Sequence, residues 1–272
     1  MSVYYKNLKT IVDGQTYYAS SVDMSESVTM EDFSALGTKG SYSFPSNKPE
    51  GTISMNFYIT DSNEVSKLHD QLGQTGFLNV SVGPFTVQNA LVNSFSIQGE
   101  SNNILQASAS FSYYGQMSSG SVPAKDNATI TPAHAASSTV SFSDVGIQDI
   151  LSFDYSFSQS YEVKYSLGKV GPSKVVFNDA TKEMQVTSLI SDVDFAKTNL
   201  TGASGLCNDD VNMQGVSKRG ASISLNDLCQ SGIETLYITG YLTSRDITAE
   251  PGGEVVETIN IVEKYVPNTG CP

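Results

Sequence analysis

The feature that most constrains this chain is a repeat. A shift of 131 positions lays one stretch of the sequence on another without a gap. Val22-Asp23-Met24-Ser25 falls on Phe153-Asp154-Tyr155-Ser156, and Ile59-Thr60-Asp61 falls on Ile190-Ser191-Asp192. Leu36-Gly37-Thr38-Lys39-Gly40 falls on Leu167-Gly168-Lys169-Val170-Gly171, with the leucine and both glycines identical. A period of this length marks a duplicated folding unit rather than a solenoid, whose repeats are shorter. The 272 residues therefore divide into a first domain over 1–117, a linker over 118–137 and a second domain over 138–272. Each domain has enough chain to bury its own core.

Within each copy the pattern is that of strands. Leu8 to Val12, the turn signal Asp13-Gly14 and Thr16 to Ala19 predict an opening hairpin. Val22, Met24 and Val28 alternate with Asp23, Ser25 and Ser27, and Phe153, Tyr155, Phe157 and Tyr161 alternate likewise in the second copy. Period two with one apolar side is a half-buried strand. Thr52 to Ile59 and its partner Glu183 to Ile190 read the same way, as do Phe77 to Val82, Phe85 to Phe95 and Ile104 to Tyr114. One helix interrupts them. Asp61 with Glu64 forms a capping box, Val65, Leu68 and Leu72 follow at helical spacing, and Gly73 can end the element. In the second copy the helix signal after Asp192 is weak and a polar excursion follows near 198–220. Register returns at Leu236 to Tyr241 and at Val255 to Val262, with Glu250 to Glu254 as the turn between them. The fold class is mainly β: two tandem sandwich or barrel domains, each with a short flanking helix.

Several kinds of chemistry are excluded. The only histidines are His69, read as a surface residue of the helix, and His134 in the linker. No base is therefore available for Ser-His or Cys-His catalysis. Cys207, Cys229 and Cys271 match no zinc spacing, and Cys271, second from the end, is the thiol placed for an intermolecular disulfide. Asn208, Asp209, Asp210 and Asn212 offer oxygens without the closing Glu of a calcium loop. Leu-Gly-x-x-Gly lacks the Gly-Lys-Ser/Thr ending of a phosphate loop, and a turn or bulge explains it better. Tryptophan, which sugar-binding clefts favour, is absent. No enzyme activity, cofactor or metal is expected. The net charge is −13, with 5 basic against 10 acidic residues over 1–117 and 9 against 17 over 138–272. Such a surface does not grip phosphate; it serves first to keep a protein soluble, and it also suits a passage through which DNA slides. The N-terminal residues have no signal-peptide core and no stretch is of membrane-spanning length, so synthesis and retention in a cytoplasm until lysis are expected.

The order of elements, an opening hairpin, two long amphipathic strands joined by a polar Gly-containing stretch, a capped helix and closing strands, resembles the tail-tube fold of bacteriophage tails. Tail terminators and tail hubs share that fold. The resemblance implies a structural virion protein whose two units per chain build a ring, trimeric with pseudo-sixfold symmetry, that stacks into or caps a tail tube and lets DNA pass. It further implies that Asp23, Ser25, Ser27, Ser54, Asn56, Asp154, Ser156, Ser158, Gln185 and Thr187 line the lumen. Lys39, Lys48, Lys174 and Asp179 would lie in loops reaching the next ring. The partners implied are further copies of the chain, other tail proteins (sheath, terminator or baseplate hub) and transiting DNA without sequence-specific binding. No membrane is involved. The alternative is a two-domain binding module, an adhesin or carbohydrate-binding head.

Overall fold

Strands of alternating sequence, once formed, leave one face apolar and must bury it against another sheet or close on themselves. The computed structural model, which describes residues 9–34, 42–45, 49–120, 129–142, 149–167, 171–189, 218–249, 251 and 253–265, does the second. Its strands are β1 (Thr10–Val12), β2 (Gln15–Ser27), β3 (Met30–Phe33), β4 (Tyr42–Pro45), β5 (Glu50–Tyr58), β6 (Leu78–Val82), β7 (Phe85–Glu100), β8 (Gln106–Tyr114) and β9 (Ser118–Ser119). Then follow β10 (Thr139–Phe142), β11 (Ile150–Lys164), β12 (Lys174–Leu189), β13 (Arg219–Asn226), β14 (Gly232–Ala249) and β15 (Val255–Tyr265). The fold is mainly β, with one α-helix, α1 (Ser62–His69), among the described residues.

In the first half, β6, β1, β2, β5, β8 and β7 pair in that order, and β7 returns to β6 to close a six-stranded barrel. Asp13 and Gly14 both take positive φ in the β1–β2 turn, the backbone that the Asp-Gly dipeptide favours. Tyr17, Ile53, Phe57, Val80, Phe111 and Tyr113 fill the interior and are fully buried. Each such apolar side chain contributes about 1.5–3 kcal/mol. Helix α1 closes one end of this barrel through the buried Val65 and Leu68. Its capping box is present: the Asp61 carboxylate accepts from Asn63 N at 2.7 Å, and Glu64 accepts from Asp61 N at 3.2 Å. The helix stops at His69, and a further turn leads to Gly73 at φ +73°.

The second half repeats this layout. β10, β11, β12, β13, β14 and β15 take the places of β1, β2, β5, β6, β7 and β8. The pairings β10–β13, β13–β14, β14–β15, β12–β15 and β11–β12 recur in the corresponding places. The sixth ladder would use residues 146–148, which lie outside the described residues, as does the stretch in which a second helix is expected. The copies agree to the residue. Val22 pairs with Met55 and Phe153 with Val186, each partner moved by 131 positions. Even the irregularities match. The bulge between Ala19 and Ser21 recurs between Ile150 and Ser152. For the closing strands the offset is 150. Val92 pairs with Phe111 and Leu242 with Ile261, and the bulge between Val92 and Ser94 recurs between Leu242 and Ser244. Bulges re-aim a strand at a defined point, so their coincidence marks one fold used twice.

The stretch expected as a linker does more than connect. β9 pairs with Phe85 and Thr86. Ala133, fully buried, donates its N–H to Ile59 O at 2.7 Å, and His134 N donates to Asn226 O at 2.9 Å. Residues 133–137 are thus hydrogen-bonded to both halves.

Candidate assembly face

The two halves meet edge to edge. β11 pairs antiparallel with β7 from Ser152↔Glu100 to Ser158↔Ser94, so the sheet runs unbroken from one copy into the next. Side chains fix this ladder from below. Phe157 stacks near Phe95 with ring centroids 5.8 Å apart, and Phe153 lies over Gly99, where a Cβ would come within 2.4 Å of its ring. Gln159, buried, receives Gly73 N–H at 2.9 Å and donates to Val92 O at 2.8 Å and Gln71 O at 3.1 Å. His69 reaches the Tyr155 hydroxyl from α1, Nε2 to Oη at 2.8 Å. This corrects the reading of His69 as a surface residue. It joins the helix of one copy to a strand of the other. Burial, reinforced by the Lys182 ammonium, holds its imidazole below the usual 6.5, and burial pushes the Tyr155 phenol far above the ordinary range. Both groups are therefore neutral near pH 7.

Because the sheet is continuous, register carries one polar face across eight strands, β2, β5, β8, β7, β11, β12, β15 and β14. One row reads Asp23, Ser54, Ser110, Ser94, Ser158, Thr181 and Lys264. The next reads Ser21, Asn56, Ser108, Ser96, Ser156 and Glu183 and ends on the less polar Val262 and Tyr241. A third holds Gln106, Gln98, Asp154, Gln185, Asn260 and Ser244, and a fourth Glu100, Ser152, Thr187, Thr258 and Asp246. Short polar side chains tie neighbouring strands together: Ser25 to Thr52 at 2.8 Å, Asn56 to Ser21 at 2.9 Å, Ser96 to Ser108 at 2.8 Å and Gln98 to Asp154 at 2.7 Å. Cross-strand pairs of this kind each add a few tenths of a kcal/mol, about 0.2–1. Among the described residues, the carboxylates Asp23, Glu50, Glu100, Asp154, Glu183 and Asp246 lie on this face with Lys264 as its ammonium, so it is acidic. The opposite side of the same strands carries Met55, Phe95, Ile97, Tyr155, Phe157, Met184 and Ile261, all buried.

Asp23, Ser25, Ser27, Ser54, Asn56, Asp154, Ser156, Ser158, Gln185 and Thr187 all fall on the polar face. The four residues expected in loops fare differently. Lys39, Lys48 and Cys271 lie outside the described residues, as does Cys207. Lys174 and Asp179 are not in a loop: both lie in β12, Lys174 paired with Lys164, and Asp179 accepting a hydrogen bond from Ser160. There β11 and β12 run on past the rest of the sheet as a two-stranded arm. The register of β3 and β4, which form a separate hairpin, puts them at the corresponding place in the first copy. Sequence reading missed Gln98, Glu100, Asn260 and Asp246. The signal was present as alternation in β7, β14 and β15, but facing cannot be assigned until the neighbouring strand is known. Cys229 is exposed and free, and among the described residues no cluster of His, Cys, Asp and Glu could hold a metal and no helix is long and apolar enough to cross a membrane.

No family model and no curated protein matches the chain. Among solved structures, it is similar to the crystal structure of the SPP1 Dit protein, described as a paradigm of the hub adsorption apparatus in phages that infect Gram-positive bacteria. Identity is 11%, the match covers 96% of this chain and 100% of that one, and the TM-score is 0.27.

Proposed function

We propose that the chain is a structural subunit of a bacteriophage tail, a tube or hub component that assembles into rings through its strand edges and whose polar face lines a passage for DNA. The observation that carries this reading is the β7–β11 ladder. It already joins two copies of one fold edge to edge, with their acidic, hydroxyl-rich faces continuous. A head-to-tail contact that repeats closes into a ring when its rotation divides the circle. Closure also removes exposed sheet edges, which are otherwise sites of uncontrolled association. A face rich in carboxylates and short hydroxyls repels a phosphate backbone and offers it no cationic foothold, so DNA passes without adhering. The chain works by interface geometry and not by catalysis. Its proposed place is the virion, after assembly in the host cytoplasm, with other tail proteins bound at the ring faces.

Negative-stain imaging of the concentrated protein at near-physiological salt tests this. Rings or hollow tubes of threefold or sixfold appearance are expected. Particles that stay single-copy and bilobed at every concentration would overturn the ring reading in favour of a two-domain binding module.

A further inference from the structure

The register of the internal junction, applied once more, specifies the next one. The edge of β11 that meets β7 corresponds to the edge of β2 turned away from β5. Among the described residues that edge of β2 has no strand partner beyond Tyr17. The edge of β7 that receives β11 corresponds to the edge of β14 turned away from β15, and β13 covers that edge only as far as Gly240. The two open edges are the two halves of a contact that the chain makes once with itself. Resting on the ring reading above, we infer that β2 of one copy pairs antiparallel with the second part of β14 of the next, in the register of β11 on β7.

The offsets of 131 for β11 and 150 for β7 turn Phe153↔Gly99 into Val22↔Ala249, Asp154↔Gln98 into Asp23↔Thr248, and Tyr155↔Ile97 into Met24↔Ile247. Residue types fit the derived pairs. Where Phe153 needs Gly99 beneath it, the smaller Val22 leaves room for the methyl of Ala249. Ile247, 47% exposed in the single chain, gains an apolar neighbour in Met24. The polar rows also stay in step, because Asp23, Ser25 and Ser27 meet Thr248, Asp246 and Ser244, so the acidic face crosses from copy to copy without a break. The internal junction is the aromatic, permanent version of the contact. The external one replaces the aromatic rings with smaller apolar residues and is the reversible version.

The test is cross-linking in the full chain with Cys207, Cys229 and Cys271 changed to Ser. The double variant Asp23→Cys/Thr248→Cys, treated with a short bismaleimide, is expected to give covalent oligomers up to the ring size, while either single variant gives none. Ile247→Lys should leave the melting temperature of the dilute chain unchanged and raise the concentration needed for assembly at least tenfold. Rings in the microscope without a 23–248 cross-link, or assembly indifferent to Ile247→Lys, would overturn this register and leave the ring reading standing. Absence of rings and cross-links together would overturn both.

Discussion

The two copies hold the same backbone with different chemistry, and the clearest case is one pair of facing positions. In the first copy Gly51 lies opposite Tyr113; in the second, at offsets of 131 and 150, Lys182 lies opposite Glu263. Tyr113 folds its ring over the glycine and donates its hydroxyl to Ser25 O at 2.9 Å. A Cβ on Gly51 would stand 1.9 Å from Ser25 O and 2.6 Å from the ring, so only glycine fits. In the second copy the space is taken by Lys182, almost wholly buried, with Nζ 3.5 Å from Glu263, 3.4 Å from Tyr237 O and 5.1 Å from the centre of the Tyr265 ring. An aromatic over a glycine is an apolar solution to strand packing, whereas a buried ion pair recovers through geometry what it loses in hydration. The first solution makes a closed barrel indifferent to its surroundings. The second places charge beside the helix–strand contact of His69.

The sharpest way to break this comparison is Gly51→Ala. The added methyl meets backbone as well as a ring, and overpacking against backbone exceeds the usual range for a core insertion, so a loss of about 3 kcal/mol or more is expected in denaturant unfolding. A loss below about 1 kcal/mol would mean that β2 and β5 can spread, and that the glycine is not what holds Tyr113 in place.

Next in size is the junction. Gln159 makes three hydrogen bonds that tie β11 to β7 and to the turn that follows α1, and its counterpart in the first copy is Val28, 41% exposed. Gln159→Leu leaves the Gly73 N–H without its acceptor and removes both donations, for an expected cost of about 2 kcal/mol. Val28→Ala should stay within about 0.5 kcal/mol, as for other exposed positions. Equal effects from the two substitutions would show that the corresponding edges are not in different states, one paired and one open.

Much of the fold was legible in the sequence because alternation and turn chemistry are local. The Asp13-Gly14 turn, the Asp61–Glu64 box and the alternating face of β8 each follow from a few neighbouring residues. So did the polar side of β2, β5, β11 and β12, since the repeat itself lined up Asp23 with Asp154 and Ser25 with Ser156. The offset of 150 was hidden, because extra residues in the second copy shift β13 to β15 and few identities survive there. The junction was hidden for a different reason. Whether the edge of β11 is open or paired depends on Ser94 to Glu100, more than fifty residues earlier, and no pattern within a strand announces its partner. His69 was misread on the same ground: one helical position looks the same whether it faces water or Tyr155, 86 residues away.

That histidine gives the smallest and most selective prediction. Burial and Lys182 lower its pKa in the folded state, while Asp70, Glu234 and Glu263 pull weakly the other way. A lowered folded pKa means the unfolded chain takes up the proton first. The stabilisation from neutral His69 is therefore complete above about pH 6.5 and is lost as the pH falls through the lower folded value. Glu64 has the opposite sense, because burial raises its pKa despite hydrogen bonds from Thr60 and Asp61, so ionisation there favours unfolding as the pH rises. The two trends overlap in the native protein. Comparison with His69→Gln separates them, since the variant retains Glu64 and loses the imidazole. The difference in melting temperature between the native chain and the variant should shrink steadily from pH 7.5 to pH 5. A constant difference across that range would show that the proton reaches His69 without opening its contact with Tyr155. The helix of the first copy would then be docked on the second by packing alone, without a titrating link at the junction.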